Sequence, residues 1–302
     1  MPIASEVAPD VFRIPISIAN AYIVGTKKDW TLIDTGTPGN EDRVIKSVKE
    51  VFDKNAAPEA ILLTHGHFDH AGSARALAEH WDVPVYAHRL EIPFLDGRSA
   101  YPPPDPTVGG FMSQMIRFIP NKKMDVGDHL QELDTDDLPG LRGWECYETP
   151  GHTPGHVSFF RPDDNVLIAG DAFTTIDQDS FVGMVSRTPV VSRPPAYYTC
   201  DWDSAQNSVE ILAGLRPHVL AAGHGVPMQG RIALQQLIRL AKDFPAPEHG
   251  RYVGNPPETD EDGVQELPPP APDPVRNVAT VVSIAALAGA GWAIAAKRKR
   301  AA

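Results

Sequence analysis

The feature that most constrains this chain is the run Thr64-His65-Gly66-His67-Phe68-Asp69-His70, which follows the apolar stretch Ile61-Leu62-Leu63 and precedes a segment opening at Ala71. Four potential metal ligands fall within six residues. A buried strand that enters a sharp turn can aim His65 and His67 at one metal ion, while Asp69 and His70, at the start of a helix, face another. Imidazole nitrogen and carboxylate oxygen suit zinc and iron alike. The apolar strand in front and the helix behind argue against a merely solvated histidine cluster.

Three further islands share this design. Thr149-Pro150-Gly151-His152-Thr153-Pro154-Gly155-His156 brackets histidine with turn-fixing glycines and prolines. Ile168-Ala169-Gly170-Asp171 ends an apolar run with a carboxylate, and Ala222-Gly223-His224-Gly225 ends another with a histidine. Ligands carried at the ends of successive strands converge at one edge of a sheet, where α/β proteins keep their sites. His156 reads as a structural partner of the site. His80, His88, His129, His218 and His249 read as surface or packing residues.

The surrounding pattern is layered α/β. Ala21 to Val24 and Thr31 to Ile33 read as strands, and Arg43 to Phe52 as a helix with Val44, Val48, Val51 and Phe52 on one face. A strand over Ala60 to Leu63, a helix over Gly72 to Trp81 and a strand over Val83 to Ala87 follow. Further strands are predicted at Glu145 to Thr149, Val157 to Phe160, Val166 to Ala169 and Val219 to Ala222, with helices at Ser204 to Leu215 and Arg231 to Phe244. Gly97 to Asp125 and Thr174 to Asp201 lack periodicity and carry Phe111, Met112, Met115, Phe118, Tyr197 and Tyr198. These aromatic and thioether side chains either cover the core or line a substrate site.

At this point the four islands resemble the metallo-β-lactamase superfamily, in the order of its His-x-His-x-Asp-His motif and its later histidine, aspartate and histidine positions. The resemblance covers about Val11 to Gly230. It implies an α/β fold, a four-layer αββα sandwich, with two divalent metal ions, most simply zinc, with iron or manganese as alternatives. By the same resemblance His65, His67 and His152 hold the first ion, Asp69, His70 and His224 the second, and Asp171 bridges them. Asp34, in Leu32-Ile33-Asp34-Thr35-Gly36, matches a family position behind the metals. The activity implied is hydrolysis of a small-molecule thioester, ester or lactone by a metal-bridging hydroxide, as in the glyoxalase II-like branch, with Asp69 as a catalytic proton carrier.

Departures from the family pattern narrow this reading. Asp171 stands where zinc β-lactamases place a cysteine, and His67 where flavodiiron proteins have glutamate. Thr174 lies three residues after Asp171, where lactonases acting on acyl-homoserine lactones carry tyrosine. The basic pair that glyoxalase II uses for glutathione has no counterpart in the acidic C-terminal region. Thioesters and other carboxylic esters therefore rank first, lactones second and phosphodiesters third. The competing class is a mononuclear iron oxidoreductase resembling the persulfide dioxygenases.

Charge and cysteine content bound the setting. A net charge of -12 repels polyanions, so a nucleic acid held by phosphate contacts is not expected as substrate. Two cysteines, Cys146 and Cys200, are too few for a disulfide framework, and the N-terminal residues lack a basic region followed by an apolar run, so a cytoplasmic enzyme is expected.

The expected domain boundaries follow composition: a catalytic domain over 1–244, a proline-rich acidic stretch over 245–274 read as an extended, disordered linker, and a hydrophobic helix over 275–302. Within the last, Val278 to Ala296 carries no charge and precedes Lys297, Arg298, Lys299 and Arg300. It is long enough, at about 1.5 Å per residue, to approach a bilayer's hydrocarbon thickness. Membrane tethering through this segment is expected, and the small-residue row Ala285, Gly289, Ala293 suits helix pairing in a homodimer.

Overall fold

Why two sheets should stack is legible in the alternation of single strands. In a computed structural model, which describes residues 3–118 and 121–273, strand β3 sends Ala21 and Ile23 to one apolar cluster and Tyr22 and Val24 to another. Period-two alternation of this kind lets both faces of a sheet be buried against different layers.

Among the described residues the first sheet has seven strands in sequence order: β1 (Ser5–Ala8), β2 (Val11–Ile16), β3 (Ala19–Gly25), β4 (Trp30–Ile33), β5 (Ile61–Leu62), β6 (Val85–Ala87) and β7 (Leu130–Glu132). β1 to β4 run antiparallel, and β4 to β7 are parallel, with Leu32 opposite Ile61 and Ile61 opposite Val85. The second sheet is built from β8 (Glu145–Glu148), β9 (Val157–Arg161), β10 (Val166–Gly170), β11 (Val219–Ala222) and β12 (Met228–Gln229), in the spatial order β12-β11-β10-β9-β8.

The cores give the layer order directly. Tyr22, Val24, Ile33 and Leu62 of the first sheet share one cluster with Val157, Phe159, Val166 and Ile168 of the second. The outer face of the first sheet packs Ile23, Leu32 and Ile61 against Val44 and Val48 of α1 (Glu41–Val51) and, beyond the one-turn helix α2 (Phe68–Ala71), against Leu77 and Ala78 of α3 (Ala74–Trp81). The short helices α4 (Ile92–Leu95), α5 (Phe111–Met115) and α6 (Phe181–Ser186) lie in the two non-periodic stretches. The outer face of the second sheet packs Leu167, Ala169 and Leu220 against Val209 and Leu212 of α7 (Trp202–Gly214) and Leu237 of α8 (Gly230–Lys242). The result is the expected helix, sheet, sheet, helix sandwich.

The expectation of a free linker from residue 245 is corrected. The chain divides after Pro269, and before that point Tyr252 is buried with its hydroxyl donating to Pro103 O at 2.6 Å. The Arg251 amide donates to the Asp105 carboxylate and its Nε to Pro268 O at 2.8 Å. A hairpin, β13 (Glu258–Asp260) and β14 (Gly263–Glu266), then presents Glu261 to Arg89 and Asp262 to Arg98. The acidic residues that made the stretch read as solvated meet arginines of the 89–98 segment. Exposed pairs contribute little, on the order of 0–1 kcal/mol each, so the buried Tyr252 ring, at about 1.5–3 kcal/mol, is the main anchor. The segment from Val278 to Ala296 lies outside the described residues; among those described, no helix is long and apolar enough to cross a membrane.

Candidate metal centre

Each turn that carries the candidate ligands is tied down by a partner distant in sequence. After β4 the backbone reverses at Asp34, whose φ of 60° is in the left-handed region. Its carboxylate accepts from the Thr64 amide and the Thr64 hydroxyl, both at 2.8 Å, and from His70 Nδ1 at 2.8 Å. One carboxylate thus fixes both ends of the His65–His70 turn. With Nδ1–H given to Asp34, the Nε2 lone pair of His70 is left facing the centre.

The opposite side of the turn is held by a residue that the sequence did not single out. Glu91 is fully buried; its Oε2 accepts from the Gly66 amide at 2.9 Å and its Oε1 from the Gly155 amide at 2.8 Å. Its carboxylate also pairs with the Tyr101 hydroxyl. Burial pushes the Glu91 pKa up, against these hydrogen bonds. Gly66 cannot be replaced cheaply, because a side chain there would run into Tyr101 and Leu95. Glu91 therefore couples the turn carrying His65 and His67 to the turn carrying His152.

The remaining candidate ligands follow strands of the second sheet. Asp171 directly follows β10, and its amide donates to His156 Nε2 at 2.9 Å, while His156 Nδ1 donates to the Thr149 hydroxyl at 2.8 Å. Both ring nitrogens of His156 are thereby used, so it positions Asp171 and is not a ligand, as the sequence indicated. His224 lies two residues past β11 and donates Nδ1–H to Ile18 O at 2.8 Å, which turns its Nε2 toward Asp171 Oδ2 at 3.0 Å and Asp69 Oδ2 at 3.5 Å. Gly223 lies against Asp171 and His70, and a side chain at this position would collide with both.

All seven residues expected as ligands come together, each of them buried. His65, His67 and His152 form one group, Asp69, His70 and His224 another, and Asp171 joins His65 and His70 in a third; within each, the donor atoms lie within 4.8 Å of one another. His67 Nδ1 approaches His152 Nε2 to 3.0 Å, and Asp171 Oδ2 stands 3.5 Å from both His70 Nε2 and His152 Nε2.

The donor atoms themselves test whether metal ions fit. His65 Nε2, His70 Nε2 and Asp171 Oδ1 are buried without a hydrogen-bond partner, a state that costs about 1–3 kcal/mol per group if nothing binds there. Three orphaned donors, one of them anionic, in a set of imidazoles and carboxylates fit divalent cations.

The two groups differ in charge. Burial and then the neighbouring imidazoles hold His65 and His152 well below the ordinary histidine pKa and His67 at about 3. Burial acts in the same direction on His70 and His224, but Asp171, with Asp34 and Asp69 respectively, outweighs it and raises both. Asp171 is likewise held well below the usual carboxylate range, because His224 and His70 overcome its burial.

Two recesses open from the centre. One, of about 390 Å³, is lined by His67, Phe68, Tyr101, Tyr198 and Met124, with Lys122 and Lys123 among its other residues. The Tyr198 ring lies 4.5 Å from that of His67. The other, of about 140 Å³, borders His224 and includes Met112 and Tyr197. Three of the side chains from the non-periodic stretches thus line the site, whereas Phe111 packs on Phe181. The side chain of Phe118 lies outside the described residues.

Comparison with known proteins agrees with this geometry. The family pattern of the metallo-beta-lactamase superfamily matches residues 15–224. The probable metallo-hydrolase YflN of Bacillus subtilis is 39% identical over 241 residues, covering 78% of this chain and 91% of its own. Hydroxyacylglutathione hydrolase GloC of Haemophilus influenzae is 30% identical over 162 residues, covering 54% of this chain and 66% of its own. Among solved structures, a di-iron-bound form of TTHA1623 is similar with a TM-score of 0.50 and 26% identity, covering 73% of this chain and 92% of its own.

Proposed function

The chain belongs to the metallo-β-lactamase superfamily, and from that premise we propose that it is a hydrolase holding two divalent cations and cleaving a small thioester, ester or lactone. The observation that carries this reading is the convergence of seven buried ligands into two complete groups joined by Asp171, with donor atoms left unpaired. His65, His67 and His152 would hold one ion and Asp69, His70 and His224 the other. When bound, such ions polarise a carbonyl and lower the pKa of water from about 15.7 toward 7.

What the chain's own residues contribute is positioning, exclusion of water and proton handling. Asp34 and Glu91 hold the His65–His70 turn from opposite sides, and His156 holds Asp171 by its backbone amide. Tyr101, Tyr198, Phe68 and Met124 give the recess beside His67 an apolar wall that dehydrates the scissile group. Asp69, at the edge of the second group with Oδ2 near His224, is placed to carry a proton to the departing group. The likeness to GloC supports a thioester as the first substrate class, and the charge of -12 weighs against nucleic acid.

The test is turnover of a thioester, a carboxylic ester, a lactone and a phosphodiester by metal-loaded protein. Hydrolysis of a thioester or ester ahead of the phosphodiester is expected. No hydrolysis, with oxygen uptake on glutathione persulfide, would replace this reading by the dioxygenase.

A further inference from the structure

The recess beside His224 has an electrostatic character opposite to that of the chain. The sequence carries a net charge of -12, yet the recess is lined by two arginines, Arg13 and Arg187, and by no aspartate or glutamate. Its lining also includes the apolar side chains of Ile18, Met112, Ile176 and Met184.

Arg13 is built into the frame of the metal centre. It sits half-buried on β2 and donates Nε–H to Asn20 Oδ1 at 2.7 Å. Asn20 in turn donates to Ala222 O and Gly225 O, both at 2.9 Å, the carbonyls on either side of His224. Among the described residues no acceptor takes the terminal Nη groups of Arg13, and no carboxylate pairs with Arg187. Arg89, Arg98, Arg161 and Arg193, by contrast, each meet an acidic side chain. Arg187 caps α6 at the rim, its backbone in the left-handed region and its amide bonded to Gly183 O at 2.9 Å. Burial pulls the Arg13 pKa downward; Tyr22 opposes this, and the charge of Arg187 adds to it.

We propose that this recess is a carboxylate subsite, in which Arg13 and Arg187 select substrates whose acyl part ends in an acid group on a short apolar stem. Guanidinium groups present paired N–H donors that match a carboxylate fork. The apolar wall accepts the methylene stem and places the carbonyl toward His224. The inference rests on the hydrolase reading and names its substrate class.

Two esters separate the outcomes: mono-4-nitrophenyl glutarate and 4-nitrophenyl valerate, which differ by a carboxylate against a methyl group. The metal-loaded chain prefers the glutarate ester in kcat/KM. Arg187→Met and Arg13→Met each reduce that preference between about 10- and 100-fold, the range expected for a hydrogen bond to a charged group, chiefly through KM, and Arg187→Lys restores part of it. Should Arg13→Met fail to fold because Asn20 loses its partner, Arg187→Met at the exposed rim carries the test. Calorimetric binding of free glutarate weakens in the same variants. An unchanged preference together with unchanged glutarate binding overturns the subsite. If neither ester is hydrolysed but glutarate binding still depends on both arginines, the subsite stands and the hydrolase reading falls.

Discussion

The two ligand groups sit within a few ångströms of each other yet are wired differently. His65, His67 and His152 are buried imidazoles held neutral by burial and by one another, and Glu91 reaches their turns only through backbone amides. His70 and His224 lie against Asp171, with Asp34 behind one and Asp69 beside the other. The second group is thus bound up with carboxylates, whereas the first has only imidazoles for neighbours apart from Asp171. The first group is thus preorganised by shape and the second by charge, so the two should respond differently to mutation and to pH.

The largest effect is expected where the two meet. Asp171→Ala removes the carboxylate that faces His70, His152 and His224 at once; metal content and hydrolysis should fall together to background, read by elemental analysis and initial rates. Retention of full activity without metal would show that Asp171 does not join the two groups.

Next comes Asp34→Asn, which leaves the ligands in place but weakens the hold on His70 Nδ1. Metal affinity should drop by about 10- to 100-fold, with the loss confined to one of two binding steps in a calorimetric titration. An equal loss in both steps would show that Asp34 serves the two groups alike through Thr64.

The pH dependence of metal-free protein sharpens the contrast. For the first group the folded pKa values are depressed. Their stabilising contribution is therefore present above the unfolded histidine value, about 6.5, and is lost as pH falls toward the folded value, about 3 for His67. For His70 and His224 the folded values are raised, so their contribution is complete below about pH 6.5 and is lost as pH rises through the folded pKa. Denaturant midpoints against pH should give a dome, each histidine contributing a slope of up to about 1.4 kcal/mol per pH unit. His67→Gln should flatten the acid limb and His70→Gln the alkaline one.

Smallest is Glu91→Gln, which keeps one carbonyl acceptor for two amides. A loss of about 1 kcal/mol should lower Tm by roughly 2–4 °C and weaken the binding step that Asp34→Asn leaves alone.

The clustering of the candidate ligands was legible in the sequence because a strand end flanked by glycine leaves a local signature: Gly66, Gly151, Gly170 and Gly223 each adjoin one of them. Glu91 left none, since its partners lie 25 and 64 residues away; the only hint was an acid directly before the apolar Ile92-Pro93-Phe94-Leu95. Strand β2 was missed because Arg13 and Pro15 interrupt its apolar alternation, although its Ile14 and Ile16 are fully buried. Residues 245–269 were misread for the converse reason. Composition measures how a segment would interact with water, and it does not register that Arg89, Arg98 and a pocket for Tyr252 await it elsewhere in the fold.

The most direct test is metal stoichiometry of the purified full-length chain, by elemental analysis with native mass spectrometry. Two divalent ions per chain are expected, falling toward background in Asp171→Ala. A single iron per chain, retained at full occupancy when His67 is replaced by alanine, would contradict this.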